Sequence, residues 1–198
     1  MYMTVIKINN ETLANQEYFM DFSDMDFMHK WVTSQVHNSR EEENILYRFE
    51  DSKNDKGTIW LYIQTDNPFP QKNIGRAGMG FFRSKEIKDI NPGDKVYFKL
   101  LGSADKKDFV TQKNVFIKDI NKRRDWLKRK FESCAEITDF RETGITKKTI
   151  KGGVNITAAD FEGYAVITDP EKFLKIVHKG VGRCKNYGLG LVMFNKVS

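Results

Sequence analysis

Cysteine, histidine and proline are all scarce in this 198-residue chain, which has 2 Cys, 3 His and 4 Pro. The two cysteines, Cys134 and Cys184, are too few for a disulfide scaffold and lack the spacing of a metal site, so we expect a reducing cytoplasm. No apolar run approaches the roughly 18–20 residues that cross a bilayer, and the N-terminus lacks the layout of a signal peptide. We therefore expect a cytoplasmic protein that has no membrane partner.

Positive charge is concentrated in the later part of the chain. Residues 1–56 carry 6 Lys or Arg against 11 Asp or Glu, whereas residues 57–198 carry 27 against 16. This distribution favours a polyanionic partner, above all nucleic acid, because Lys and Arg neutralise phosphates. A basic surface without such a partner explains the charge equally well, and charge alone leaves both interpretations open.

The hydrophobic pattern predicts two halves of the same kind. In the first half we predict a strand at 2–8, a helix opening at Ser23, strands at 45–50 and 58–65, and another strand at 96–101. In the second half we predict a short strand near 108–116, a helix at 117–132, strands at 135–139, 146–150, 155–159 and 163–168, a helix opened by Asp169 and Pro170, and a final strand at 190–194. The pattern indicates an α+β protein of two tandem ferredoxin-like (RRM-like) β-α-β modules with antiparallel sheets, in domains 1–90 and 91–198.

The segment HKGVGRCKNYGLGLV at 178–192 places four glycines between a predicted helix and a predicted strand. A dinucleotide fingerprint needs the order strand, glycines, helix, and a P-loop needs a G-K-[ST] ending, so both are excluded. Backbone N–H groups could still converge on an anion, with Arg183 and Lys185 supplying charge. The alternative is a helix C-cap at Gly180 followed by a tight turn packed against another element.

Written as G-V-G-x-x-K-x-Y-G-x-G-L, this segment resembles the glycine-rich loop of the CRISPR repeat-processing endoribonucleases, and most of all their CasE subfamily of the type I-E Cascade system. Four further segments resemble that family in the same order along the chain. They are FMHKWV at 27–32, ILYRFE at 45–50, INPGDKVYFKL at 90–100 and FEGYAVITDPEKFLKIVHKGVG at 161–182.

The resemblance implies two tandem ferredoxin-like folds that bind the stem-loop of a CRISPR repeat transcript. Cleavage would occur at the 3′ base of the stem without a metal or a small-molecule cofactor. The 2′-hydroxyl would attack the adjacent phosphate and leave a 2′,3′-cyclic phosphate and a 5′-hydroxyl. The protein would then stay on the product beside the other Cascade subunits.

The resemblance also places His29 at the position of the family's catalytic histidine. Histidine suits proton transfer because its pKa of about 6.5 lies near the working pH. The alternative for His29 is a structural histidine on an apolar helix face. Of the other two histidines, we expect His37 at the surface and His178 at a helix end, where its charge suits the helix dipole and a phosphate contact is the alternative. Lys30, together with the two cations of the glycine segment, is a candidate for stabilising the phosphate.

One position departs from the family pattern. Several members have a tyrosine three residues before the catalytic histidine, where this chain has Asp26. The departure favours an alternative function, a non-catalytic subunit that binds the same stem-loop. A third interpretation, a small-molecule α+β enzyme, would require a convergent cluster of catalytic residues that the sequence does not contain.

The predicted RNA surface is basic. The stretch NKRRDWLKRK at 121–130 has six Lys or Arg against one Asp, and Lys147, Lys148 and Lys151 precede Gly152 and Gly153 at a predicted turn. A-form RNA is recognised largely by shape and phosphate contacts, which such a surface can supply; a solvated surface is the alternative for each lysine. The predicted RNA-binding residues are Gly180, Gly182, Arg183, Lys185, Gly188, Gly190, Arg123, Arg124, Lys147 and Lys148.

Overall fold

The computed structural model describes residues 1–9, 25–36, 44–52, 58–70, 81–150 and 154–197. The chain forms two compact units. The first comprises Met1–Lys88 and Asn186–Gly188, and the second comprises Asp89–Lys185 and Leu189–Ser198. Within the described ranges, every helix is too short or too polar to cross a bilayer.

The first unit contains a four-stranded antiparallel sheet and one described helix. Its elements are β1 (Tyr2–Asn9), α1 (Met25–Ser34), β2 (Leu46–Asp51), β3 (Thr58–Thr65) and β4 (Phe81–Glu86). The strand order is β2-β3-β1-β4, and each neighbouring pair is antiparallel. The first and third strands therefore lie in the centre of the sheet, as in a ferredoxin-like fold.

The core of the first unit lies between α1 and one face of this sheet. Alternate residues of a strand point to the same face, so Ile6 of β1 joins Leu61 and Ile63 of β3 on the covered side. Val32 of α1 belongs to the same buried cluster, and Trp31 packs at its edge. This packing fixes the helix that carries His29.

The second unit repeats the arrangement with a small additional hairpin. Its elements are β5 (Lys95–Gly102), β6 (Asp105–Lys107), β7 (Asn114–Phe116), α2 (Ile120–Phe131), β8 (Ala135–Ile150), β9 (Val154–Ile167), α3 (Pro170–Lys179), a 3-10 turn (Lys185–Tyr187) and β10 (Val192–Lys196). The main sheet has the order β10-β5-β9-β8, and β6 pairs with β7. The predicted fold, two tandem ferredoxin-like modules with antiparallel sheets, is confirmed.

Both helices of the second unit begin at an aspartate. The Asp119 carboxylate accepts a hydrogen bond from the backbone N–H of Lys122, and the Asp169 carboxylate accepts one from Lys172. Pro170 occupies the first turn of α3, where the missing N–H costs nothing. The predicted start of α3 at Asp169-Pro170 is confirmed, whereas α2 begins at Ile120 rather than at residue 117.

Aromatic side chains join these helices to the sheet. The ring of Phe131 on α2 lies 5.7 Å from that of Phe98 on β5 and 6.4 Å from that of Phe173 on α3, centroid to centroid. Trp126 of α2 stacks 6.2 Å from Phe161 of β9. All five rings are almost fully buried, so they fill space between the helices and the sheet.

The observed strands differ from the predicted strands at three places along the chain. The four short strands predicted between residues 135 and 168 are two long strands, β8 and β9. Register shifts between Ile137 and Asp139 and between Glu142 and Gly144 interrupt the alternation of β8, and this interruption made one strand look like two. The short strand predicted near 108–116 is instead the β6–β7 hairpin, and β4 was not predicted at all. Ser23 lies outside the described residues.

Gly163 is a point where β8 and β9 leave no room for a side chain. It pairs with Phe140, and an added Cβ would overlap the Asp139 carbonyl oxygen and Phe140 itself. We expect Gly163→Ala to lower the free energy of unfolding by about 1–3 kcal/mol, as overpacking of an ordered core does. Chemical denaturation measures this loss.

Gly144→Ala is the matched control, because nothing lies within 4 Å of a Cβ added at that position. Alanine there should change stability by no more than about 1 kcal/mol, in the stabilising direction. Equal effects of the two substitutions would contradict the steric argument.

Candidate active site and nucleic-acid interface

His29 lies at the edge of the buried face of α1. Met28 and Val32 on the same helix are buried, His29 is half-buried, and Lys30 is exposed. The imidazole ring is nearly parallel to the phenol ring of Tyr47 on β2, with an interplanar angle of 19° and centroids 6.4 Å apart. The helix and this ring contact therefore hold the imidazole in place while part of its surface stays open.

Tyr47 connects His29 to the tip of the glycine segment within the first unit. Its side chain is 1% exposed, and its hydroxyl donates a hydrogen bond of 2.6 Å to the carbonyl oxygen of Asn186. Phe49 packs edge-on against the same ring at 5.7 Å. Tyr47 was not among the predicted site residues, and its only signal was its place within the family-like segment ILYRFE.

Two glycines of the segment are required by the protein's own packing. Gly188 has φ +73°, and an added Cβ would lie 3.1 Å from Cε2 of Tyr47. Gly190 has φ +83°, and its Cβ would lie 2.7 Å from the Val181 carbonyl oxygen. Both conformations favour glycine. Gly180 ends α3 as its C-cap, so the turn interpretation accounts for these positions, and their contact with RNA stays a prediction.

The rest of the glycine segment is attached to β5 in the second unit. The N–H of Val181 donates to the Gly190 carbonyl, and the N–H of Gly190 donates to the Leu101 carbonyl, each at 2.8 Å. Arg183 forms an isolated β-bridge with Ser103, directly after β5. These bonds set the path of the segment on both sides of its tip.

A cationic cavity of about 450 Å³ adjoins the glycine segment in the second unit. Lys130 and Trp126 line it from α2, Lys179 from the end of α3, and Arg183 and Lys185 from the segment. The Lys130 ammonium lies 5.7 Å from the centroid of the Trp126 ring. The structure thus brings together cations of which Lys130 precedes the others by roughly fifty residues along the chain. Of these, Lys130 and Lys179 were not among the predicted site residues.

Lys185 is the cation of this cavity whose environment is most unusual. Its ammonium donates a hydrogen bond of 2.6 Å to the Lys179 carbonyl oxygen. Burial and the positive charges of Lys179 and Lys130 lower the pKa of Lys185. A bound anion would offset both effects, because it stabilises the charged ammonium.

Arg123, one of the predicted RNA-binding residues, has a structural role in this fold, and its contact with RNA stays a prediction. Its side chain is buried, and its guanidinium donates to the Glu142 carboxylate at 2.7 and 2.6 Å. It also donates to the carbonyls of Ile117 and Lys118, and the hydrogen bonds to Glu142 raise the pKa of Arg123. A helical spacing of four residues places Arg123 on the face of Leu127, which was the available signal.

The other predicted cations lie on the surface of the second unit. Arg124 is exposed, with its guanidinium carbon 5.8 Å from the centroid of the Phe140 ring. Lys147 is exposed and Lys148 half-exposed near the end of β8, opposite Thr157 and Ile156 of β9. These three cations can reach a ligand from solvent.

His178 lies in the last turn of α3, and Gly182 has its added Cβ 3.1 Å from the Ser103 carbonyl oxygen. His37, Lys151, Gly152 and Gly153 lie outside the described residues.

Comparison with known proteins identifies the family. A family model described as CRISPR associated protein matches residues 1–195. The chain belongs to this family. The match covers almost the whole chain, so both units are included, and the resemblance recognised from the glycine segment is confirmed.

Proteins similar to this family member include one curated relative and several solved structures. The CRISPR-associated endoribonuclease Cse3 of Thermus thermophilus is 24% identical over 211 residues, which span 97% of this chain and 98% of that protein. The structure of CRISPR endoribonuclease Cse3 bound to a 19-nucleotide RNA has a TM-score of 0.86 at 23% identity, covering 98% and 100% of the two chains. Cas6e of Escherichia coli has a TM-score of 0.72 at 18% identity, covering all of both chains.

The two neighbouring arginines of α2 give a direct test of the Arg123 assignment. Removal of one partner of a buried ion pair leaves the other charge unpaired, so Arg123→Ala should lower the free energy of unfolding by about 3–5 kcal/mol. Arg124→Ala removes one exposed cation and should cost about 1 kcal/mol at most. Urea unfolding of the two variants gives both values, and equal losses would contradict the buried role of Arg123.

Proposed function

We propose that this protein is a metal-independent endoribonuclease that processes CRISPR repeat RNA. It binds the repeat stem-loop in the precursor transcript, cleaves at the 3′ base of the stem and retains the product as a Cascade subunit in the cytoplasm. Two findings support the proposal: the relative that bears the name endoribonuclease and matches over nearly its whole length, and the family model that spans residues 1–195. The observation that carries it is the position of His29, half-buried and stacked beside Tyr47 near the glycine-segment tip.

The reaction requires no group from outside the RNA other than proton donors and acceptors. The 2′-hydroxyl loses its proton and its oxygen attacks the adjacent phosphorus. The bond from phosphorus to the 5′-oxygen breaks, and that oxygen takes up a proton. The products are a 2′,3′-cyclic phosphate and a 5′-hydroxyl, so the protein has to hold the sugar in line, move protons and stabilise charge on the phosphoryl oxygens.

His29 carries the proton transfer in this proposal. Its ring is carried by a helix that Val32 anchors in the core, and a fixed side chain loses little freedom when substrate binds. Tyr47 sets the plane of the imidazole through ring contact, which makes it a positioning residue. Lys30, exposed on the next position of α1, supplies positive charge for the phosphoryl oxygens.

RNA affinity comes from cations of the second unit. Lys147 and Lys148 present charge near the end of the long β8–β9 hairpin, and Arg124 presents it on α2. Arg183 and Lys185 face the cationic cavity beside the glycine segment, where a backbone phosphate fits the charge and the polar lining. Such contacts recognise the shape and the phosphates of an A-form stem.

A second function is favoured by one residue. Asp26 stands where several family members have tyrosine, and a protein that lacks this tyrosine could bind the stem-loop without cutting it. A chain of a CRISPR RNA-guided surveillance complex has a TM-score of 0.73 with this protein at 15% identity, which fits a subunit role in either case. Cleavage in the presence of a chelator separates the two functions.

His29→Ala tests the catalytic assignment. We expect the purified protein to cleave its cognate repeat RNA in EDTA and the variant to lose about 10²- to 10⁴-fold in the single-turnover rate constant, because general acid–base catalysis contributes that much. The dissociation constant for the uncleaved RNA should stay unchanged. Gel-resolved cleavage and filter binding provide the two measurements.

His178→Ala is the matched control, since it removes a histidine from the end of α3 in the second unit. It should cleave at the wild-type rate. Normal cleavage by the His29 variant would refute the mechanism, and binding without cleavage by the wild type would favour the non-catalytic subunit.

The double substitution Lys147→Ala/Lys148→Ala tests the hairpin surface. If each lysine contacts one phosphate, log Kd against log salt should lose about one unit of slope for each lysine. Lys172→Ala is the control, because that exposed lysine is paired with Asp169 at 2.8 Å, and its removal should leave the slope unchanged. An unchanged slope in the double variant would remove the hairpin from the interface.

A further inference from the structure

The β6–β7 hairpin exposes two large apolar side chains at its tip. Phe109 is 91% exposed and Val110 is 86% exposed, whereas no other large hydrophobic side chain in the described part of the chain exceeds 56%. A phenylalanine at this exposure adds nothing to the core. Together with Val110 it forms an exposed apolar tip that is available for contact with another molecule.

The tip has a defined conformation that presents Phe109 outward. The Asp108 carboxylate accepts hydrogen bonds from both the backbone N–H and the hydroxyl of Thr111, each at 2.8 Å, and these bonds lower the pKa of Asp108. The N–H of Asp108 donates to the Lys113 carbonyl at 2.8 Å, and the Gln112 amide donates to the Phe109 carbonyl at 2.7 Å. A preorganised tip loses little entropy when it binds.

The base of the hairpin is anchored in the second unit. The N–H of Ile117 donates to the Ala104 carbonyl at 2.9 Å, so the chain leaves and rejoins the unit at one point. The Phe116 ring lies 5.4 Å from the guanidinium of Arg123, which is itself buried. The hairpin is thus held at its base and exposed at its tip.

The surroundings of the tip are cationic. Lys106, Lys107 and Lys113 are all exposed, and each lies within four residues of Phe109 in the chain. The hairpin also has two carboxylates, which stay negative: Asp108 accepts from Thr111, and Asp105 accepts from the Ser103 hydroxyl and lies 4.0 Å from Arg183. The three lysines outnumber them, so the hairpin keeps a positive net charge. An aromatic ring among exposed ammonium groups matches the chemistry of single-stranded nucleic acid, which offers a base to stack and phosphates to neutralise.

We propose that the β6–β7 tip is a contact for single-stranded RNA, in which Phe109 stacks on an unpaired base beside the stem and the three lysines neutralise the adjacent phosphates. The proposal rests on the proposed function, because it adds a subsite for the unpaired RNA that continues from the stem-loop. The charge around the ring favours RNA over a protein partner.

The test compares two RNAs, the repeat stem-loop alone and the same stem-loop with unpaired nucleotides on both sides, using a cleavage-inactive His29→Ala background. Phe109→Ala should weaken binding of the flanked RNA by about 5- to 150-fold, the range that base–aromatic stacking supplies. Binding of the stem-loop alone should not change. Phe109→Trp should retain the affinity, and Val110→Ala should lose little, since valine does not stack.

A second readout reports the stacking itself. With 2-aminopurine in the unpaired flank, its fluorescence should fall when the protein with Phe109 binds and should recover in the Phe109→Ala variant. Thermal unfolding of each variant should match the parent protein, because neither apolar side chain at the tip is packed in the core.

The outcomes separate this proposal from the proposed function. The single-strand contact would be overturned if the protein with Phe109 bound both RNAs equally and Phe109→Ala had no effect. The proposed stem-loop function would then still stand. Equal losses of RNA affinity from Phe109→Ala and Val110→Ala would also overturn the single-strand contact. So would a Phe109→Ala variant that binds RNA normally but loses a co-purifying partner subunit. If neither stem-loop binds, the proposed function fails, and an unstructured oligonucleotide carrying 2-aminopurine then decides the tip contact by the same quenching.

Discussion

The hydrogen bond from the buried Tyr47 hydroxyl to the Asn186 carbonyl is the contact on which the candidate active site depends. A phenol that is 1% exposed needs a partner, because an unpaired buried hydroxyl is costly. The same ring stacks against His29 and leaves no space for a side chain at Gly188. One residue therefore sets the plane of the imidazole, the path of the segment tip and the need for glycine there.

Positive charge has two different uses in the second unit. On α2, Arg123 is buried against Glu142 and serves the fold, whereas Arg124 is exposed beside it. Near the glycine segment, Lys185 is half-buried close to Lys179, and burial lowers its pKa. The charge of Arg123 is compensated inside the protein by Glu142, whereas the charge of Lys185 is compensated incompletely. This difference is the physical reason to associate the cavity with an anion and the arginine with stability.

The proposed RNA contacts differ in physical kind. His29 acts on a proton, which demands a fixed ring. The lysines of the β8–β9 hairpin act through screened charge, which tolerates imprecise geometry and responds to salt. Phe109 offers a flat apolar surface, and the turn closed by Asp108 and Thr111 holds that surface in one conformation. Cleavage beside the stem requires the fixed ring, the phosphates of the stem require the screened charge, and the unpaired nucleotides require the flat apolar surface.

The sequence by itself determined the elements with strong local signals, such as the strand Thr58–Thr65 and the start of α3, together with the family recognised from the glycine segment. Only the tertiary structure decided which cations are available, because Arg123 finds its carboxylate 19 residues away on β8. It also revealed Tyr47, whose partner lies 139 residues further along the chain. Local pattern indicates propensity and periodicity, but these pairings depend on contacts between distant parts of the chain, and no local pattern encodes them.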